Sequence, residues 1–217
     1  MIPINLADKT ALITGSGQGL GASTAALLAQ AGANVIINYF NDPQGINRQR
    51  AQATADAIGP QALMIAADVR DPEAVAAMFS QTLEHFGHLD IVVNNAGILR
   101  DRSIKKMSLE EWQAVIDTNL TGVFNVCKLA AEKIADGGRI VNVSSIAAFA
   151  GFFGQCNYAA AKGGIVSLTK VLSKELAKRN IMVNAVAPGV VLTEMGKLIP
   201  EEARREMLKA IPLGRLG

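Results

Sequence analysis

Tyr158 and Lys162 are four residues apart, so on a helix they share one face, one turn apart. That face continues through Ile165, Leu172 and Leu176, a stripe suited to burial. A phenol and an ammonium on a core face need partners or a ligand. As chemistry, the pair suits proton exchange with a carbonyl oxygen. Free tyrosine titrates near ~10, and a cation within ~4–6 Å favours the phenolate and is expected to lower that value toward working pH. As structure, the same spacing fits a tyrosine bonded to backbone and a lysine stem lying along apolar surface. Context favours the chemistry: the pair follows an apolar run ending in Val143-Ser144-Ser145 and lies downstream of a glycine-rich turn. The residues alone do not choose between Ser144 and Ser145. Asn119 interrupts an apolar stripe of Trp112, Val115, Ile116, Val123, Cys127 and Ala130. A buried amide is normally satisfied, so Asn119 is either a core amide or, near the site, the holder of a water that relays protons to Lys162.

The glycine-rich turn is Thr14-Gly15-Ser16-Gly17-Gln18-Gly19-Leu20-Gly21, set between an apolar run and a helical pattern. A pyrophosphate needs close backbone approach and free N–H donors at a helix N-terminus, and glycine permits both. Strand before and helix after favour this over a tight turn that binds nothing. The ribose of such a dinucleotide meets the end of the second strand, where Asn38-Tyr39-Phe40 stands without the acid expected for a 2′-hydroxyl. An uncharged site tolerates a 2′-phosphate, which favours NADP(H) over NAD(H). No arginine lies beside it in the immediate sequence, and Asp42 follows closely.

The elements that must position these groups alternate. Strand-like runs cover Thr10–Thr14, Asn34–Tyr39, Ala62–Ala66, Asp90–Val93, Arg139–Val143 and Met182–Val186. Helical patterns lie near 20–31, 45–58, 72–86, 108–135 and 157–179. Continuously apolar strands suit a sheet covered on both faces, and β-α alternation implies parallel strands joined by crossovers. The fold expected is α/β, a doubly wound parallel sheet of Rossmann type in three α/β/α layers. No repeat or linker divides the chain, so residues 1–217 are expected to form one dinucleotide-binding and catalytic domain. Segment 190–212 should be a helical excursion on the substrate side.

Charged residues make up 18% of the 217 residues, against a typical ~25%. The shortfall is concentrated: neither Thr10–Asn41 nor Ile140–Ala161 contains any Asp, Glu, Lys or Arg. Both stretches are broken by Gly, Asn, Gln and Ser, so neither reads as a membrane span. The N-terminus lacks the layout of a secretory signal, which leaves the cytoplasm as the expected location. Cys127, Cys156, His85 and His88 have no metal-site spacing, and no metal is expected. With 21 basic against 19 acidic residues and no basic block, nucleic acid is an unsuitable partner.

Taken together, these residues resemble the short-chain dehydrogenase/reductase family over nearly the whole chain. Its Thr-Gly-x-x-x-Gly-x-Gly loop corresponds to Thr14, Gly15, Gly19 and Gly21, and its Asn-Asn-Ala-Gly motif to Asn94-Asn95-Ala96-Gly97. Its Asn-Ser-Tyr-Lys tetrad falls on Asn119, Ser145, Tyr158 and Lys162, and Pro188-Gly189 matches the segment that closes the nicotinamide side. The resemblance implies that Ser145, rather than Ser144, binds the substrate oxygen. It also implies that Tyr158 exchanges the proton and that Lys162 additionally holds the ribose hydroxyls. Cofactor contacts would come from Gly15, Gly17, Gln18, Gly19, Leu20 and Gly21, then from Asn38 and Tyr39. By the same resemblance Asp68 and Val69 border the adenine, Asn95, Ala96 and Gly97 line the cofactor, and Val191 and Thr193 meet the nicotinamide amide.

Within the family, Asn-Asn-Ala-Gly-Ile-Leu-Arg-Asp, Asn-Tyr-Ala-Ala-Ala-Lys and Pro-Leu-Gly-Arg-Leu-Gly look most like the bacterial 3-oxoacyl-[acyl-carrier-protein] reductases. Acetoacetyl-CoA reductases share much of the pattern. The implied activity is NADPH-dependent reduction of a 3-oxoacyl thioester, on acyl-carrier protein or CoA, as in fatty acid biosynthesis, by a homotetramer or homodimer. Other readings are a sugar, steroid or other alcohol dehydrogenase, and a cofactor-binding module without catalysis. Two positions depart from the pattern. Gln18 stands where NADPH-using relatives often carry arginine, and Asp136 stands in an often basic stretch, although Lys178 and Arg179 could meet an acidic carrier. Relatives usually continue past Gly217 with a helix and an edge strand, a unit of order ~30 residues. The chain is therefore expected to be truncated, lacking the usual last strand and leaving its sixth strand at an unpaired edge.

Overall fold

Short apolar runs pair as the strands β1 (Thr10–Ile13), β2 (Asn34–Tyr39), β3 (Ala62–Ala66), β4 (Ile91–Asn94), β5 (Arg139–Val143) and β6 (Met182–Val186). The computed structural model of the chain describes residues 4–193 and 201–217. Hydrogen bonding orders the strands β3-β2-β1-β4-β5-β6, with every neighbouring pair parallel. The order reverses between β1 and β4, and the cleft beyond their carboxyl ends is where an open sheet of this kind takes a ligand. This is the Rossmann-like α/β architecture that the alternation predicts.

The helices are α1 (Gly19–Gln30), α2 (Ile46–Ile58), α3 (Pro72–Phe86), α4 (Leu109–Ile116), α5 (Gly122–Lys133), α6 (Ala147–Ala150), α7 (Cys156–Glu175) and α8 (Glu201–Ala210). Their ends follow local chemistry. Asp71 caps α3 by accepting from the Glu73 N–H, Pro72 opens its first turn, and Gly87 closes it in the left-handed region. Ser108 and Glu111 form a reciprocal capping box on α4.

Strand residues alternate between the two faces of the sheet. Leu12, Ile36, Val92 and Ile140 face a core built with Phe79 and Met78 of α3, Val126 of α5 and Ile165 of α7. Ala11, Ile13, Val35, Ile37, Ile91 and Val93 face the other side, where α1 contributes Ala25 and Ala29 and α2 contributes Ala51 and Ala55. Alanines four residues apart present a narrow, low stripe, with Leu28 of α1 and Ile58 of α2 packed, partly buried, against the same cluster.

Two expectations change. The helix read as 108–135 is three pieces, because a π turn over Asp117–Thr121 separates α4 from α5. The excursion at 190–212 contains α8, while residues 194–200 lie outside the described residues. At the end of the chain, Gly217 exchanges backbone hydrogen bonds with Val190 and Leu192, each 3.0 Å. Among the described residues β6 pairs with β5 alone, and its Met182 and Val186 are about half exposed.

Candidate active site

Glycine at position 15 answers to two constraints. Its φ is +62°, and a Cβ there would stand 2.9 Å from the Ala96 Cα, so the turn after β1 can press directly on the segment after β4. A Cβ on Gly21 would meet Asn95 Nδ2 at 2.5 Å and the Gly15 oxygen at 2.7 Å. Polar groups then clamp the two segments. The Thr14 hydroxyl accepts from the Asn95 and Ala96 N–H groups, each at 3.0 Å, and Asn95 Nδ2 donates to the Thr14 and Gly15 carbonyls at 2.9 and 3.0 Å. The N-terminus of α1 has no side-chain cap and no acid in its first turn. Its N–H groups are thus oriented toward an anion, and the residues fit a dinucleotide pyrophosphate.

The Asn38 side chain at the end of β2 is turned into the fold. It is 1% exposed; its Oδ1 accepts from the Gly15 N–H at 3.1 Å and its Nδ2 donates to the Ala67 carbonyl at 3.1 Å. It braces the turn, a role that a side chain's position in sequence does not reveal. Asp42, next along, is turned onto the start of α2, accepting from Ile46 and Asn47 N–H groups at 3.0 and 2.7 Å. Asp68 is held by Arg70. Partial burial acts to raise the carboxyl's pKa, but hydrogen bonds from Arg70 outweigh it and hold the group below its ordinary 3.8. The Arg70 guanidinium also lies over the Phe40 ring, 5.6 Å from its centre.

These groups line one cleft of about 440 Å³. Gly15, Gly17, Gln18, Gly19 and Leu20 line it together with Asn38, Tyr39, Asp68 and Val69. Asn95, Ala96 and Gly97 form its floor, and Tyr158, Lys162 and Thr193 complete it. Four expected cofactor residues stand outside the lining. Gly21 packs behind the turn, since the space for a side chain is filled. Pro188 accepts from the Ile146 N–H at 3.1 Å, Gly189 neighbours the Ile146 side chain, and Val191 meets Gly217. Conversely, Asn47 and Arg50 of α2 line the cleft; no strand-end spacing points to them, because a separate helix brings them in.

The chemical end of the cleft is drawn together by α7. Ser144 is buried with its hydroxyl on the Lys162 carbonyl at 2.8 Å, whereas the Ser145 hydroxyl accepts from the Ala147 N–H at 3.1 Å and bonds the Tyr158 hydroxyl. Of the two serines, Ser145 is therefore the one beside Tyr158. Lys162 is 3% exposed; its Nζ donates to the Val143 carbonyl at 2.6 Å and stands 5.6 Å from the Tyr158 ring centre. Burial draws its pKa down to about 8. The expected lowering of the Tyr158 pKa is not what the structure gives. Burial pushes the phenol above its ordinary 10, the Ser145 hydrogen bond opposes this, and the Asp101 carboxylate adds to the rise. Desolvation, the largest cause, sets the direction.

Asn119 sits in the π turn, fully buried. Its Oδ1 accepts from the Ile98 N–H at 2.8 Å and its Nδ2 donates to the Ile98 carbonyl at 2.9 Å. The amide therefore fastens the 95–100 segment to the helix. A Cβ on Gly97 would lie 3.3 Å from Asn119 Oδ1 and 3.8 Å from Lys162 Nζ, so the two residues flank one small space. Asn157 is a further brace that spacing did not reveal. Its Nδ2 donates to the Arg100 and Glu111 carbonyls, at 3.0 and 3.2 Å.

Comparison with known proteins gives the following. Residues 9–204 match the family described as short chain dehydrogenase. The chain is 44% identical over 214 residues to the 3-oxoacyl-[acyl-carrier-protein] reductase FabG of Chlamydia muridarum, covering 98% of this chain and 86% of that protein. It is 42% identical over 214 residues to the FabG of Staphylococcus aureus strain Mu50, covering 96% and 85%. A short chain dehydrogenase from Burkholderia cenocepacia J2315, solved in complex with NADP, superposes with a TM-score of 0.91 at 35% identity, covering 98% of this chain and 86% of that one. A dehydrogenase/reductase from Sinorhizobium meliloti 1021 superposes with a TM-score of 0.92 at 35% identity, covering 99% and 84%.

Proposed function

From the premise that this chain belongs to the short-chain dehydrogenase family, we propose that it is an NADPH-dependent reductase of 3-oxoacyl thioesters. The observation that carries this is the presence of Tyr158 and Lys162, with Ser145 beside the phenol, in one cleft that also takes in the glycine turn before an uncapped helix N-terminus. The dinucleotide, when bound, supplies the hydride that a carbonyl carbon accepts. The chain's own groups do the rest. Ser145 donates to the substrate oxygen and orients it beside the phenol. Tyr158 gives its proton to that oxygen, and its raised pKa keeps it protonated and ready to donate at neutral pH. Lys162 stabilises the phenolate that results and reaches the ribose hydroxyls. Asn119 positions the segment carrying Gly97 and Ile98. The whole chain acts as one catalytic unit in this reading, as a homo-oligomer in the cytoplasm.

The acyl carrier, CoA or a carrier protein, is a separate matter. Arg179 could meet an acidic carrier, but its Nε is 2.7 Å from Asp136 and its other nitrogens cap the Ala131 and Ile134 carbonyls at 2.6 Å. An acidic partner would have to compete with that carboxylate.

Initial rates of NADPH oxidation with acetoacetyl-CoA and with an acetoacetyl carrier protein test both points, repeated with NADH and with unrelated ketones. Turnover of ketones but of neither thioester overturns the substrate assignment and favours a sugar or steroid alcohol dehydrogenase. Dinucleotide binding without turnover of any carbonyl overturns catalysis and leaves a binding module.

A further inference from the structure

We propose that Arg50 recognises the ribose 2′-phosphate and thereby sets a preference for NADP(H); the inference rests on the dinucleotide-binding reading above. The usual ways of choosing between the two dinucleotides are absent here. The end of β2 carries no acid, Asn38 is consumed in bracing the turn, and Gln18 at the head of α1 is uncharged.

What brings Arg50 in is the packing of α2. A Cβ on Gly17 would stand 3.0 Å from the Ala51 backbone nitrogen, so Gly17 allows α2 to lie directly on the phosphate turn. The Thr54 hydroxyl, one turn on, donates to the Gly17 carbonyl at 3.2 Å. This contact fixes the helix, and Arg50 and Asn47 then line the cleft together with Tyr39 and Phe40.

Among the described residues that line that end of the cleft, Arg50 is the cation left available. Arg70 is engaged by Asp68, with nitrogen–oxygen distances of 2.6 to 3.0 Å, and lies over Phe40. Asp42, the nearest acid in sequence, has both oxygens on the N–H groups that open α2. The Arg50 side chain has no hydrogen bond or ion pair among the described residues. An unpaired guanidinium on the rim of an otherwise neutral ribose site matches a phosphate dianion, in charge and in its fork of donors, and has nothing comparable to bind on a 2′-hydroxyl.

The test is equilibrium binding of NADPH, NADH, adenosine 2′,5′-bisphosphate and ADP to the wild type, Arg50→Ala and Arg48→Ala, by calorimetry. Arg48 shares the exposed surface of α2 but does not line the cleft, so its variant serves as the control. Arg50→Ala should weaken NADPH and the 2′,5′-bisphosphate by about tenfold or more, and leave NADH and ADP within about twofold. Arg48→Ala should leave all four within that margin. Equal weakening of both dinucleotides by Arg50→Ala, or a retained preference for NADPH, overturns the inference while the reductase reading stands. A wild type that binds neither dinucleotide overturns both.

Discussion

Lys162 is buried with its ammonium on the Val143 carbonyl, and its pKa falls to about 8 from an ordinary 10.5. Between those values the unfolded chain holds a proton that the folded chain has released, so stability rises with pH across the window. The penalty is full below about 8 and gone above about 10.5; it is of order 3 kcal/mol. Lys162→Met removes the titration. Urea unfolding of wild type and variant should therefore show the wild type gaining on the variant from pH 8 to pH 10, and a gap that does not change with pH would refute the assignment. Tyr158→Phe keeps the ring and removes the proton. It should lose at least ~10²-fold in turnover while still binding the dinucleotide, measured by steady-state rates beside a binding titration. The pairing of these two residues is legible in their spacing. The direction of the tyrosine's shift is not, because it depends on how deeply α7 buries both groups.

At the scale of elements, the π turn at Asp117–Thr121 is the feature that spacing conceals. Val115, Asn119 and Val123 keep an ordinary helical interval, so the stripe reads as continuous while the backbone widens by one residue at the functional position. α6 is missed for the opposite reason: a single turn ending at Gly151 has too few residues to show a period. Asn119→Ala leaves both polar groups of Ile98 without their partner and should cost about 1–3 kcal/mol in chemical denaturation. Gly21→Ala forces a methyl against Asn95 Nδ2 and the Gly15 carbonyl. It should destabilise by about 1–3 kcal/mol and impair dinucleotide binding, checked by thermal melting and titration.

For the molecule as a whole, alternation of strand and helix is enough to foresee a parallel sheet, and motif order is enough to foresee where its cleft opens. Side-chain destinations at the strand ends are another matter. Asn38 turning inward and α2 delivering Arg50 both follow from packing between segments distant in sequence. The two faces of the sheet also differ. One is filled by Phe79, Met78 and aliphatic side chains, and on the other the fully buried residues that α1 and α2 contribute are alanines, with Leu28 and Ile58 only partly buried. Less apolar area is exposed when the alanine layer lifts, so its opening free energy is the smaller. Amide hydrogens of α1 and α2 should exchange with deuterium faster than those of α3 and α5, as mass spectrometry of peptic fragments would reveal. A dinucleotide at 100 times its Kd adds about 2.7 kcal/mol to the folded state, and in the proposed site it would touch the loosely held layer through the phosphate turn. Saturation should slow exchange most in α1 and α2. The ligand would then act as a clasp on the half of the domain that otherwise breathes, so that protection in those two helices reports the occupancy of the cleft.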